Sequence, residues 1–224
     1  MVCGLRYSYV SSYRERMTQE CKQFMTRKSM LLSRKVSVIG DSISTFKGTM
    51  LEGYVTYYPA RDVASVENMW WHKLLSSSGS ILEVNASWSG SCVTDARSRW
   101  GFPDFYDRTP LLGSPDYIFV ALGTNDCSEG VDLGAYEYDR PTAELSESAF
   151  IPAYIKGIKS LKTHYPWASI FLLVFNMADK YAEAIKNIGE HFHLPTIDAR
   201  SYYVDNNHPD KNGMDIIFRS IAVH

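Results

Sequence analysis

The stretch VSVIGDSIST, residues 36–45, indicates the fold class of this chain. Its apolar first half, rich in β-branched residues, predicts a buried strand, and Gly40, Asp41 and Ser42 end that strand abruptly. In open α/β sheets, ligands lie beyond the carboxyl ends of the strands, so Ser42 is a candidate nucleophile. Asp and Ser after a strand are also ordinary N-caps of helices. This stretch alone leaves both interpretations open.

The rest of the chain alternates between strand and helix patterns. Apolar runs predict further strands at 81–86, 117–122 and 169–175, and residues 196–198 suggest a last short strand. Helical spacing of apolar residues predicts helices at 66–78, 148–164, 180–193 and 211–222. Strands that alternate with helices predict an α/β domain with a mainly parallel, doubly wound sheet in three layers.

Composition excludes several classes of partner. The chain has 224 residues, of which 45% are hydrophobic, and this suits one domain with a full core. A net charge of −2 gives no support to a nucleic-acid partner, which needs a clustered positive field. No segment approaches the roughly 20 apolar residues of a membrane span. The four cysteines lack the spacing of a metal site, so we predict no metal.

The N-terminal segment differs in charge from the rest. Residues 1–35 carry eight Lys or Arg and two Glu, whereas the remainder carries 15 basic and 23 acidic residues. No apolar run there is long enough for the core of a signal peptide. We therefore expect a basic extension at 1–34, either disordered or upstream of the natural start, and one domain at 35–224. A cytoplasmic location is the default expectation, and a secreted or periplasmic one is the alternative if the start is mis-assigned.

A serine nucleophile needs a base, a group that orients the base, and donors for the developing oxyanion. His208 is a candidate base, because the unperturbed pKa of histidine lies closest to working pH. Asp205, three residues earlier, is a candidate to orient the imidazole. The alternative is a surface histidine in a turn that caps the last helix.

Two further blocks follow predicted strands. Gly90 lies in SWSGS after the strand at 81–86, and Asn125 lies in GTND after the strand at 117–122. Taken separately, Gly90 is explained by a tight bend and Asn125 by a helix cap. Taken jointly, a serine, a glycine, an asparagine and a histidine in this order at one sheet edge favour an active site.

These four blocks resemble those of the SGNH hydrolases, also called GDSL esterases. They are GDSIS at 40–44, NASWSGS at 85–91, GTND at 123–126 and DNNHP at 205–209. The sequence departs from the family pattern at Ile43, where the eponymous motif has Leu, and in the Ser-Gly-Ser of the second block. The resemblance implies a flavodoxin-like three-layer α/β/α sandwich, and ester hydrolysis through an acyl-enzyme without metal or cofactor.

The resemblance also implies a role for each marker residue. Ser42 is the nucleophile, and Asp205 and His208 complete the triad. The backbone N–H groups of Ser42 and Gly90 and the side chain of Asn125 form the oxyanion hole.

Aromatic residues near the expected pocket guide the substrate prediction, since aromatic rings stack on sugar faces. We expect substrate contacts at Tyr57, Tyr58, Trp88 and Tyr136. The predicted substrate is a small ester, an acylated saccharide carrying O-acetyl groups. The alternatives are a lysophospholipase or thioesterase of the same family, or a catalytically silent glycan-binding module.

Overall fold

The structure is a computed structural model that describes residues 34–200 and 208–223. The predicted N-terminal extension lies outside the described residues except for Arg34. Within them, no helix is long and apolar enough to cross a membrane.

A five-stranded parallel sheet forms the centre of the domain. Its strands are β1 (Lys35–Gly40), β2 (Ile81–Asn85), β3 (Tyr117–Ala121), β4 (Ser169–Val174) and β5 (Thr196–Asp198). Their order across the sheet is β2-β1-β3-β4-β5, and every neighbouring pair is parallel. This is the flavodoxin-like order, so the fold class predicted from the sequence is confirmed.

Helices connect the strands and cover both faces of the sheet. They are α1 (Trp70–Ser78), α2 (Phe105–Arg108), α3 (Thr124–Glu129), α4 (Phe150–His164), α5 (Asp179–Phe192) and α6 (Lys211–Ala222). Short 3₁₀ helices occur at Ser42–Ser44, Val66–Asn68, Asp95–Trp100, Thr109–Leu111 and Thr142–Glu144. The four helices predicted from apolar spacing are confirmed, although α1 begins four residues later than predicted.

The alternation of side chains along β3 divides the core into two apolar layers. Ile118 and Val120 pack with residues of α4 and α5 on one face. Phe119 and Ala121 pack with residues of α1 and α6 on the other face. Both faces of the strand are therefore buried, which explains why its sequence is a continuous apolar run.

The chain order reverses between β1 and β3. β1 continues to β2 at the edge, and the chain then crosses back to β3 on the other side of β1. Ligands in open α/β sheets bind at such a switch point, beyond the carboxyl ends of the strands. Ser42 lies two residues after the end of β1, and α3, which carries Asn125, follows β3.

The segment between β2 and β3 includes a buried helix that is not among the four predicted from apolar spacing. It contains α2, whose residues Phe105 and Arg108 are fully buried. A Cβ at Gly157 of α4 would lie only 2.2 Å from the Phe105 ring, so the two helices pack closely at this glycine. Prolines and glycines shorten the helix here, but they do not keep it at the surface.

Candidate active site

Ser42 lies in a tight turn at the end of β1. It is the first residue of the 3₁₀ turn Ser42–Ser44, and the side chain of Asp41 caps this turn by accepting a hydrogen bond from Ile43 N at 3.0 Å. A Cβ at Gly40 would lie 2.8 Å from Ser44 Oγ, so the turn requires glycine at that position. Asp41 is therefore the N-cap of this turn. The hydroxyl of the next residue, Ser42, lies at the edge of the sheet.

The hydroxyl of Ser42 is hydrogen-bonded to His208. The distance between Ser42 Oγ and His208 Nε2 is 2.8 Å, across 166 residues of sequence. Ser42 is 7% exposed and the histidine is half-buried, so the pair lies in a largely desolvated position that still reaches the surface. An imidazole at this distance can accept the hydroxyl proton, which is the requirement for a serine nucleophile. Asp205, the predicted partner of the imidazole, lies outside the described residues.

Two consecutive tyrosines support the segment that carries His208. The Tyr57 ring stacks on the imidazole with ring centroids 3.7 Å apart. The Tyr58 hydroxyl donates to the carbonyl oxygen of Pro209 at 2.5 Å. The backbone N–H of Tyr57 in turn donates to Thr45 Oγ1 at 2.8 Å. The loop before α1 therefore links the turn of the serine to the segment of the histidine.

Gly90 lies in the loop after β2 with a left-handed backbone (φ +86°), which favours glycine. A Cβ there would lie 2.9 Å from the ring of Phe102 and 3.2 Å from Arg97 Nη1. The loop is joined to β1 by the bond from Trp88 N to the carbonyl oxygen of Gly40, at 3.0 Å. Gly90 is thus held beside the strand that carries the serine.

Asn125 is the second residue of α3. Its Nδ2 donates to the carbonyl oxygen of Ser91 at 2.7 Å, and its Oδ1 accepts from Arg97 Nη1 at 3.3 Å. Ser91 Oγ also donates to the carbonyl oxygen of Gly40 at 3.4 Å. These bonds bring the loop after β2, the start of α3 and the end of β1 together at one sheet edge.

Asp126 has a structural role that the sequence analysis missed. The carboxylate is fully buried and accepts hydrogen bonds from Val93 N at 2.8 Å, Thr94 N at 3.1 Å and Thr94 Oγ1 at 2.8 Å. Burial raises the pKa of this carboxyl group, and the three hydrogen bonds oppose that rise. Asp126 therefore fastens the loop of Gly90 to α3. Asp126 is the last residue of the GTND block, and its place in that block was the only indication of this role in the sequence.

Two fully buried ionisable side chains, Asp41 and Arg108, lie at the end of β1. Burial raises the pKa of Asp41 to about 6, and the hydrogen bond from Ile43 N and the charge of Arg108 oppose that rise only in part. Burial also lowers the pKa of Arg108 to about 10, so the guanidinium stays charged at neutral pH. Its Nη1 donates to the carbonyl oxygens of Gly40 at 2.7 Å and Ala86 at 2.9 Å, which joins the ends of β1 and β2. The sequence around Arg108 has no pattern that would predict this link between the two strands.

The four aromatic residues predicted to contact substrate have different positions. Tyr57 and Trp88 are half-buried, and Trp88 packs between the rings of Tyr54 and Phe102, at centroid distances of 4.6 and 6.1 Å. Tyr58 is fully buried.

Tyr136 lies against α5. Its hydroxyl accepts a hydrogen bond from Asn187 Nδ2 at 2.9 Å, and its ring stacks on Tyr138. Among the described contacts, none joins Tyr136 to Ser42 or His208.

The residues that the structure describes contain no group of three or more His, Cys, Asp or Glu side chains that could hold a metal ion.

Comparison with solved structures identifies close structural relatives. A GDSL-like lipase from Bacteroides ovatus is 30% identical, with a TM-score of 0.78, over 85% of this chain and 96% of its own. A GDSL-like lipase from Bacteroides uniformis is 31% identical, with a TM-score of 0.78, over 84% of this chain and 93% of its own. A family two carbohydrate esterase from Clostridium thermocellum, in complex with cellohexaose, shares the fold at 18% identity and a TM-score of 0.62, over 86% of this chain and 63% of its own.

Comparison with curated proteins finds no match. The sequence profile of the GDSL-like lipase/acylhydrolase family, in contrast, matches residues 34–224, which include all four blocks described above. The chain therefore belongs to the family of GDSL-like lipases and acylhydrolases.

Proposed function

We propose that this protein is a serine esterase that removes small acyl groups, O-acetyl groups above all, from a carbohydrate. One observation carries the proposal: Ser42 Oγ and His208 Nε2 are 2.8 Å apart at the switch point of the sheet. A hydroxyl and an imidazole at that distance are the reacting pair of nucleophilic acyl transfer.

In the first step, Ser42 Oγ attacks the carbonyl carbon of the ester while His208 Nε2 takes the hydroxyl proton. The tetrahedral intermediate then collapses: the bond from the carbonyl carbon to the alcohol oxygen breaks, and the imidazolium gives its proton to the leaving alcohol. The products of this step are the free alcohol and an acyl group bound to Ser42 Oγ.

In the second step, water attacks the acyl carbon and His208 takes a proton from that water. The bond from the acyl carbon to Ser42 Oγ breaks, and the imidazolium returns its proton to the serine. One ester and one water thus give one alcohol and one carboxylic acid. The residues of the chain suffice for this chemistry, which needs neither metal nor cofactor.

The negative charge on the carbonyl oxygen needs donors in both steps. In our proposal these are the backbone N–H groups of Ser42 and Gly90 and the Nδ2 group of Asn125. The side-chain amide of Asn125 donates to the carbonyl oxygen of Ser91 and accepts from Arg97. These two hydrogen bonds hold the amide beside the loop of Gly90, which supports this assignment. We assign Asp205 the task of orienting the imidazole, on its spacing from His208 and the family resemblance.

The saccharide preference rests on two supports. Half-buried aromatic rings, Tyr57 and Trp88, lie on loops that contact the His208 segment and the end of β1, and rings of this kind pack on sugar faces. The fold is also shared with a carbohydrate esterase that was solved with cellohexaose, although that likeness shows the fold alone.

The test compares acyl donors directly. Purified protein is incubated with an acetylated xylo-oligosaccharide, with lysophosphatidylcholine and with p-nitrophenyl esters from acetate to octanoate, and the released acid is measured. We expect acetate release from the saccharide, and p-nitrophenyl rates that fall as the acyl chain lengthens. Faster hydrolysis of octanoate and of the lysophospholipid would replace the proposal with a lysophospholipase. Saccharide binding without release of acid would replace it with a binding module.

A further inference from the structure

Arg97 lies between the loop that carries Gly90 and the helix α3 that carries Asn125. It belongs to the 3₁₀ helix Asp95–Trp100, and its side chain is mostly buried. A single nitrogen, Nη1, donates to the carbonyl oxygen of Gly90 at 2.8 Å and to Asn125 Oδ1 at 3.3 Å. One guanidinium therefore contacts both residues that the proposed function places in the oxyanion hole alongside Ser42.

Glu129 fixes the other side of the guanidinium. Its Oε1 accepts from Arg97 Nε at 3.0 Å and from Nη2 at 2.6 Å. Glu129 is four residues after Asn125, so the two side chains lie on the same face of α3. The planar guanidinium is thereby held on two sides, by Glu129 on one and by Gly90 and Asn125 on the other.

This arrangement determines which end of the Asn125 amide faces the site. Arg97 has donors only, so it must meet the oxygen of the amide and not the nitrogen. With Oδ1 toward the guanidinium, Nδ2 points away from it and donates one hydrogen to the carbonyl oxygen of Ser91. The second hydrogen of Nδ2 is then available to an oxyanion. If the amide were reversed, the Nδ2 group of Asn125 would face the N–H groups of Arg97, and both would be hydrogen-bond donors.

We propose that Arg97, supported by Glu129, is a positioning residue of the oxyanion hole: it sets the orientation of the Asn125 amide and of the Gly90 turn. This inference rests on the proposed function. Arg97 acts through Asn125 and Gly90 and does not touch the substrate. Its contribution is therefore made in the transition state, when the oxyanion forms, and not when the ester binds.

The first expected result is a loss of turnover without a loss of binding. Removal of one oxyanion donor lowers kcat by about 10² to 10³. Since Arg97→Ala leaves the Asn125 amide held only by its bond to the carbonyl oxygen of Ser91, we expect a drop in kcat of about tenfold or more with KM changed less than about threefold. Arg97→Lys keeps a charge and donors but not the planar fork, so it should recover part of the rate.

The matched control is Arg99→Ala. Arg99 belongs to the same 3₁₀ helix but is exposed, and its guanidinium lies over the ring of Trp100 at 4.2 Å. This variant should keep the kcat and KM of the wild type. A loss equal to that of Arg97→Ala would show that any change in this helix disturbs the site, and it would overturn the assignment to Arg97.

A double-mutant cycle tests whether Arg97 acts through Asn125. In an Asn125→Ala background no amide remains to be oriented, so Arg97→Ala should cost much less than it does in the wild-type background. Equal losses in both backgrounds would contradict the proposal. So would a rise in KM with unchanged kcat, or full activity of Arg97→Ala. If Arg97→Ala does not fold, the kinetics of Arg97→Lys test the proposal instead: kcat should fall while KM changes little.

A second readout separates this inference from the proposed function. The rate at which a fluorophosphonate labels Ser42, followed by mass spectrometry, reports the nucleophile and the oxyanion hole without any assumption about the ester substrate. We expect labelling of the wild type and slower labelling of Arg97→Ala. Labelling at equal rates would overturn only the role of Arg97. A wild type that neither reacts at Ser42 nor hydrolyses esters would overturn the proposed function and this inference with it.

Discussion

The ring of Tyr57 lies face to face on the imidazole of His208, with centroids 3.7 Å apart and planes 12° from parallel. The stack restricts the tilt of the imidazole, while the hydrogen bond to Ser42 Oγ restricts its rotation in the ring plane. Tyr57, for which the sequence predicted a substrate contact, therefore restrains the proposed base.

The first prediction concerns this stack. Tyr57→Phe keeps the ring and should retain kcat within about threefold, whereas Tyr57→Leu removes the flat face and should lower kcat by about tenfold, in line with the cost of a misplaced base. Steady-state kinetics on p-nitrophenyl acetate measure both. Equal activity of the Leu and Phe variants would show that the ring does not position His208.

The second prediction concerns Tyr58. Its hydroxyl donates to the carbonyl oxygen of Pro209, the residue after His208, and both residues are buried. Tyr58→Phe leaves that oxygen without this donor, which should cost about 1–3 kcal/mol of unfolding free energy. For a domain of this size, each kcal/mol lowers Tm by about 2–4 °C. An unchanged Tm on thermal unfolding would contradict the stabilising role of this bond.

The third prediction concerns Asp126. Asp126→Ala removes the acceptor for Val93 N, Thr94 N and Thr94 Oγ1, all at buried positions. Each unsatisfied group costs about 1–3 kcal/mol, so a loss of several kcal/mol is expected. Asp126→Asn keeps one acceptor oxygen and should be intermediate. Chemical denaturation measures both variants, and an Ala variant as stable as the wild type would refute the fastening role.

The fourth prediction is a pH dependence of stability. Burial raises the pKa of Asp41 from 3.8 to about 6, so the folded protein binds this proton more tightly than the unfolded chain does. The contribution of Asp41 to stability is thus greatest below about pH 4, falls as pH rises toward 6, and is lost above that. Asp104, whose pKa burial also raises to about 6, acts with the same sign.

Asp41→Asn keeps an oxygen that can accept from Ile43 N and removes the titration. Its Tm should therefore change less than that of the wild type between pH 4.5 and 7, measured by differential scanning fluorimetry. Parallel Tm profiles for the two proteins would show that Asp41 does not titrate in this range.

Local sequence patterns predicted most of the fold. The sequence analysis predicted all five strands, four of them from apolar runs, and the bounds predicted for β5 and α6 are those of the structure. Most of these elements are apolar runs or have strong helical periodicity, so the chain itself carries the signal; β5, Thr-Ile-Asp, is the exception. The helix α2 was missed because prolines and glycines flank it, and its burial depends on the contact of Phe105 with Gly157, 52 residues later in the chain.

The candidate site was predicted in part. Strand-end positions singled out Ser42, Gly90 and Asn125, because residues at the carboxyl ends of parallel strands converge. His208 was singled out as a candidate base, and the structure brings it to Ser42. The roles of Arg97, Arg108 and Asp126 depend on contacts between distant segments, which no local pattern encodes. Tyr136 was associated with the site by residue type alone, and the structure places it against α5.

The central claim is that the Ser42 hydroxyl, activated by His208, hydrolyses esters. The most direct test is the turnover of p-nitrophenyl acetate by the wild type, by Ser42→Ala and by the matched control Ser44→Ala. Ser44 belongs to the same 3₁₀ turn, is buried, and has no hydrogen-bond partner for its hydroxyl among the described residues. We predict that Ser42→Ala loses at least about 10³-fold in kcat and that Ser44→Ala retains most of it. Activity that survives in Ser42→Ala would contradict the account.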